Sequence, residues 1–386
     1  MGIGSGGSSL LLFGAYAFVA QYVSKTIIGN YQIVSTLIGI ALLTTYPKMS
    51  GALIVAAAQK AHGAFTDGIE LILKKSWQGI IMLGIFSAYY WVRGLYGLAA
   101  AIATGALFFI PYAVSGLYES YYVGIGKIRR YAIGSLISTA AIASALVGAA
   151  VLYPTSASAL VLAFFGTNAL TVGAWTYYIA RQSKANNSPS HEKSLAFAKK
   201  TSWTEILLQV TNYIDIILIN AFLGPKDVAI YAIARMAPET IKGFVKNAGV
   251  LSVAHIATME KMTVKKMIIK RAIQSAVIAI GITGLYIALA PSFFALAFPT
   301  YSESVFYSQL LAFSFLAFPA HLAESALGAL FKKRETVVLN TAAASAMLIF
   351  SCALIPPFGI LGAVLARIAA RFSNAAVALY LTLRYI

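Results

Sequence analysis

Apolar runs, most of them about twenty residues long and separated by short polar segments, recur along the whole chain. A bilayer-spanning α-helix needs about 20 predominantly apolar residues. The runs mark twelve such spans, at 8–28, 30–58, 77–92, 95–123, 131–153, 157–180, 201–223, 228–255, 267–294, 303–330, 335–355 and 359–383. They are continuous rather than alternating, which argues against a membrane β-barrel. Only 11% of the 386 residues are charged, against about 25% in a soluble domain. The expected fold is therefore an all-α integral membrane protein with about 12 transmembrane helices. Met1 to Ser9 lack the basic stretch of a cleaved signal peptide, so the first span is expected to be retained.

The net charge of +17 would suit a nucleic-acid partner, but the placement of the charge argues for topology instead. Of the 29 Lys and Arg, 20 lie in or beside the loops that follow even-numbered spans, or in the C-terminal tail. Three, Lys25, Arg93 and Lys226, fall on the other side, and six lie within spans. The positive-inside rule then puts both termini in the cytoplasm of a multi-pass plasma-membrane protein. The basic loops would meet anionic membrane lipids, and no nucleic-acid partner is expected. Cys352 is the single cysteine, which excludes an intramolecular disulfide and a cysteine-rich metal site. No metal-ligand spacing, phosphate-cradling glycine loop or catalytic triad is visible. Neither an enzyme nor a resident cofactor is expected.

Residues 181–200 form the longest polar stretch. They divide the chain into an N-terminal six-helix lobe (1–180), a cytoplasmic linker (181–200) and a C-terminal six-helix lobe (201–386). The halves echo each other. Lys48, Gly51, Leu53, Val55 and Ala56 match Lys246, Gly249, Leu251, Val253 and Ala254 at an offset of 198 residues. Leu117, Glu119 and Ser120 match Leu322, Glu324 and Ser325 at an offset of 205. Six spans per copy is an even number, so duplicated lobes would share one orientation. A pseudo-two-fold along the membrane normal would relate them, with the binding site between them.

Span eight carries the strongest functional signal. Arg235, Glu239, Lys242 and Lys246 are spaced by 4, 3 and 4 residues, which confines them to a band of about 60° on a helix. A cation at bilayer depth costs about 2.5–3.5 kcal/mol even on the lenient insertion scale. The stripe must therefore look onto water, a protein partner or a ligand. Glu239 is spaced to pair with Arg235 or Lys242, and a self-neutralised ladder against another helix is the plain structural alternative. Span twelve adds Arg367 and Arg371 at i,i+4, with Asn374 on the same face, and span two adds Lys48. These six cations outnumber the mid-span acids Glu119, Asp215, Glu239 and Glu324. A surplus of positive charge suits phosphate or pyrophosphate, to which arginine forms forked hydrogen bonds. Asp215 reads either as a partner for these cations or as the site of a coupling proton or sodium ion.

At this point the chain resembles a family. The stretch from Gln209 through Asn212, Tyr213, Asp215, Gly224 and Tyr231 looks like the seventh-span entry of polysaccharide flippases. These belong to the multidrug/oligosaccharidyl-lipid/polysaccharide exporter superfamily. Phe298-Pro-Thr-Tyr301 and Pro356-Pro-Phe-Gly359 through Arg367 are similar to later landmarks of that family, and Gly29-Asn-Tyr31 and Tyr46-Pro47-Lys48 to its second-span region. The resemblance implies a monomer with two six-helix lobes and alternating access, moving a sugar on a polyprenyl-type phosphate or pyrophosphate carrier. The headgroup would meet Lys48, Arg235, Lys242, Lys246, Arg367, Arg371 and Asn374, with Asp215, Glu239, Glu119 and Glu324 balancing charge or coupling an ion. An ion-coupled drug exporter of the same superfamily would want a mid-membrane surplus of acids. A membrane glycosyltransferase or sugar polymerase would want a sizeable active-site loop. Neither feature is present.

Overall fold

The computed structural model describes residues 2–185, 192–256, 261–320 and 333–385. Some side chains within these ranges, including those of 244–256 and 261–271, lie outside the description. The described residues are helical, with no strand among them.

In the first part of the chain, α1 (Gly2–Tyr22), α2 (Lys25–Leu42) and α3 (Met49–Ala58) carry the first two expected spans. The boundary between those spans lies earlier than the hydropathy suggests. Ser24 caps α2, its hydroxyl accepting the Ile27 N–H at 3.4 Å, so the chain turns at residues 23–24 rather than near 29. A short 3₁₀ turn, Leu43–Thr45, and Tyr46 in a left-handed conformation (φ 61°) break the second span ahead of Pro47. α4 (Gly63–Val92) starts fourteen residues before the expected third span. α5 (Tyr96–Leu107), α6 (Phe109–Ser115) and α7 (Leu117–Gly124) make the fourth, bent by 53°. α8 (Ile128–Leu152) is the fifth. α9 (Ala157–Val161) and α10 (Thr167–Ala185), joined by one π turn, are the sixth.

The seventh span is split into α11 (Glu192–Val210) and α12 (Ile214–Phe222). Then follow α13 (Pro225–Ile256), α14 (Lys261–Ala297), α15 (Glu303–Ala312) and α16 (Lys333–Tyr385). α16 holds both of the last two spans. It is broken at Gly359, whose φ of 57° and ψ of −130° lie in a region that side chains with a Cβ disfavour. Pro356 and Pro357 precede the break and remove two helix-type donors. Three residues on, a Cβ at Gly362 would sit 2.0 Å from the Leu354 carbonyl oxygen, so only glycine lets the two arms approach this closely.

All twelve expected spans fall at least partly on helices, yet length and apolarity alone qualify five of the described helices as membrane spans. The count is six if the bent α5–α7 segment is one span. The difference has physical causes. The second span still qualifies as Lys25–Thr45, but a break divides the seventh, α16 fuses two, α13 is too charged, and the tenth runs into residues 321–332, outside the description.

The chain forms two compact units, Met1–Tyr213 and Ile214–Ile386. Residues 201–213, assigned from sequence to the second lobe, pack in the first unit. α11 lies on α3, and the Lys48 N–H donates to the Ser202 hydroxyl at 3.4 Å. Most of the expected linker, 186–191, lies outside the described residues. In the first unit, Phe65, Leu53, Met49 and Tyr118 centre a buried core. In the second, Phe294, Phe298, Tyr301 and Phe315 are fully buried. Polar ties cross between helices there: Ser304 donates to the Ile230 carbonyl at 2.9 Å, and Tyr286 and Ser308 share a hydrogen bond of 2.6 Å. Such interhelical bonds are typically worth about 0.6 kcal/mol each in a membrane, so they fix register more than they supply stability.

Candidate functional site: a buried ion-pair cluster in the second unit

The site begins with a helix break. Residues 211–213 form a turn, with the Asn212 and Tyr213 N–H groups reaching the Gln209 and Val210 carbonyls at 3.0 Å. Thr, Asn and Asp compete locally for backbone hydrogen bonds, which explains a break without proline or glycine. α12 then starts at Ile214 with Asp215 in its first turn. A carboxylate is favoured there by the unpaired N–H groups of a helix N-terminus. Asp215 Oδ1 accepts the Ile216 N–H at 2.9 Å.

The other oxygen of Asp215 gathers the cations. Arg367 donates to Oδ2 through Nε, at 3.1 Å, and through a second nitrogen. Arg235 reaches the same oxygen at 3.3 Å. The Tyr231 hydroxyl donates to it as well, and itself accepts from Arg367 Nε at 3.0 Å. Tyr231, Arg235, Glu239 and Lys242 lie on one stripe of α13, and the Arg235 guanidinium sits 5.8 Å from the centre of the Tyr231 ring. Glu239 is the second anion. Arg367 contacts it at 3.3 Å, Arg371 donates to it, and Lys242 lies 3.8 Å away. Arg371 also donates to the Ser314 hydroxyl, which sits on a 3₁₀ turn, Phe313–Ala317.

The cluster grades from dry to accessible. Asp215 and Tyr231 are fully buried and Arg367 is 8% exposed. The side chains of Arg235, Lys242 and Glu239 are 24%, 28% and 29% exposed. A buried charge is tolerable only when paired and hydrogen-bonded, and the Asp215–Arg367–Tyr231 contacts meet that condition. Four cations face two carboxylates among the described side chains. Among these side chains the cations outnumber the carboxylates by two, and Lys242 and Arg235 are the more exposed of the cations. Such an arrangement can attract an anion without exposing the inner pair.

Six residues singled out from sequence thus converge: Asp215, Arg235, Glu239, Lys242, Arg367 and Arg371. Their pairing differs from the expected ladder within one helix, because Arg235 turns to Asp215 and Glu239 takes both arginines of α16. Asn374 is half-buried one turn beyond Arg371. The side chain of Lys246 and all of Glu324 lie outside the described residues. Lys48 and Glu119 belong to the first unit, half-buried at the start of α3 and in α7. Sequence reasoning missed Tyr231 and Ser314. Tyr231 was findable, four residues ahead of Arg235 on the same stripe; nothing local marks Ser314.

No protein-family model and no curated protein sequence matches the chain. Solved structures do. An inward-facing multidrug resistance MATE family transporter of the MOP superfamily is similar at a TM-score of 0.71, with 10% identity over 97% of this chain and 93% of that one. The chain has the MOP transporter fold. A second MOP superfamily transporter, from Pyrococcus furiosus Vc1, is similar at a TM-score of 0.67 and 12% identity, over 99% of this chain and 92% of that one. It is described as having a binding pocket of reverse polarity that suggests a different function. The lipid II flippase MurJ, in an inward closed conformation, is similar at a TM-score of 0.62 and 12% identity, over 98% and 86%. The likeness covers the multi-pass helical architecture along nearly the whole chain.

Proposed function

We propose that the protein is a flippase that carries a lipid-linked sugar across the plasma membrane by alternating access. The cargo's carrier would be a polyprenyl- or dolichyl-type phosphate or pyrophosphate. The observation that carries this reading is the excess of cations over carboxylates among the described side chains of the α12–α13–α16 cluster, with Arg235 and Lys242 partly exposed. In this reading Lys242, Arg235 and Arg371 meet the anionic headgroup. Arg367, engaged by Asp215 and Tyr231, positions the others. Asn374 lies one turn beyond Arg371; Lys246, on the same stripe by helical spacing, and Lys48 of the first unit are proposed as further contacts, each to be tested by its own substitution.

Two similar structures support this direction. One is a lipid II flippase, and the other is described as having a binding pocket whose reverse polarity suggests a different function. A drug-exporting reading has its own support in the MATE likeness, but a cationic drug would meet an excess of like charge here, which disfavours it.

The test is transport in proteoliposomes. Purified protein should move a fluorescent polyprenyl-pyrophosphate sugar between leaflets, and Lys242→Gln and Arg371→Gln should each slow it about tenfold or more. The estimate takes the lower end of the worth of a charge-assisted hydrogen bond, about 1.5–3 kcal/mol. Unchanged flux in both variants, with normal expression, would remove the headgroup assignment.

A further inference from the structure

The first unit contains a cavity of about 820 Å³ that the transport reading does not use. Three lysines from two helices distant in sequence converge on it: Lys75 of α4 and Lys199 and Lys200 of α11. Below them the lining changes in the same order on each wall. Along α4 it runs Lys75, Gln78, Met82; along α11, past Ala196 at the rim, it runs Lys199 and Lys200, Ser202, Ile206, Val210. The third wall, read backwards from Tyr46, passes Thr44 and ends on Leu43 and Ile40. From the level of the lysines onward, each wall therefore goes from polar or charged to apolar.

That common gradient matches one class of ligand, an amphiphile with an anionic head. At a rise of about 1.5 Å per residue the α4 wall is about 10 Å long and the α11 wall about 16 Å. This is room for a phosphate headgroup and the first part of an acyl chain. A soluble anion would satisfy the lysines but leave the apolar end unfilled. The Ser202 and Thr44 hydroxyls already donate to backbone carbonyls in their own helices, to Ala198 at 2.7 Å and Ala41 at 2.8 Å. They offer only their lone pairs, so the lysines are the headgroup donors. By the positive-inside reading these lysines lie at the cytoplasmic leaflet, where anionic lipids are attracted to basic side chains.

We propose that this cavity binds one anionic phospholipid of the surrounding bilayer. The phosphodiester sits at Lys75, Lys199 and Lys200, and an acyl chain lies along Met82, Ile206 and Val210.

Native mass spectrometry of the full-length protein in detergent, titrated with phosphatidylglycerol or phosphatidylcholine of identical chains, tests this without any transport assay. Wild type should bind phosphatidylglycerol at least tenfold more tightly. The Lys75→Gln/Lys199→Gln/Lys200→Gln variant should lose that preference and keep its lipid-free melting temperature. Ile206→Trp, which fills the apolar end, should weaken both lipids. Lys74→Gln is the control, since Lys74 is an exposed neighbour paired to Glu70 at 2.5 Å and does not line the cavity; it should bind as wild type does. The proposal is overturned if the triple variant retains the preference, or if Lys74→Gln loses as much as the triple variant. It is equally overturned if inorganic phosphate competes as well as the lipid, or if polyprenyl phosphate displaces the phospholipid at lower concentration. The last result would assign the cavity to the cargo.

Discussion

Replacing Asp215 by asparagine keeps the shape of the side chain and removes the one negative charge on which Arg367, Arg235 and Tyr231 converge. The cost follows from what each partner has left. Arg235 is about a quarter exposed and can hydrate. Arg367 is nearly dry and keeps the Tyr231 hydroxyl, at 3.0 Å, and one carboxylate, Glu239, at 3.3 Å, which it already shares with Arg371 and Lys242. Breaking a buried pair from one side costs about 3–5 kcal/mol. The remaining Glu239 contact argues for the lower end, about 3 kcal/mol. A unit of this size loses about 2–4 °C per kcal/mol, so the melting temperature in detergent should fall by about 6–12 °C. Removing the stranded cation as well, in Asp215→Asn/Arg367→Gln, should recover part of the loss, and the double-mutant cycle measures the coupling. The competing role for Asp215, a proton or sodium site, makes the opposite forecast. The single variant would then be as stable as wild type, bind cargo, and lose only its response to an imposed pH or sodium gradient. That outcome would refute the charge-balancing account.

Three further expectations are independent of it. Tyr231→Phe removes the hydroxyl that bridges Asp215 and Arg367 and should destabilise the protein by about 1–3 kcal/mol, read as a lowered melting temperature; an unchanged one would mean that the hydroxyl is dispensable. Gly362→Ala places a methyl group against the Leu354 carbonyl, 2.0 Å away, and the break in α16 must open to accept it. A loss of more than about 3 kcal/mol, or failure to accumulate folded protein, is expected by size-exclusion chromatography, and a wild-type profile would contradict the close approach. Lys48→Gln, at the half-buried start of α3, should leave folding intact and reduce flux of a phosphate-linked cargo in proteoliposomes; wild-type flux would confine the headgroup to the second unit.

Burial in lipid is encoded locally, so the helical membrane architecture was legible from the sequence. A run of about twenty apolar residues is sufficient to specify a span. The cation stripe of α13 was equally legible, because helical period alone puts residues four and three apart on one face. The break after Val210 was not read, since Thr211, Asn212 and Tyr213 turn the chain without proline or glycine, and the apolar pattern continues through them. Tyr231 carries no charge to mark it on the stripe, and its part in the cluster rests on its hydroxyl donating to Asp215.

What the tertiary structure alone decided is which charge meets which. Asp215 and Arg367 are 152 residues apart, and Glu239 and Arg371 are 132 apart. Their pairing depends on how α12, α13 and α16 pack, which no local pattern contains. A charge buried at membrane depth must be neutralised by whatever the fold brings within hydrogen-bond reach. Composition therefore announces a surplus of cations, while the packing of three helices selects which of them are buried and which stay partly exposed.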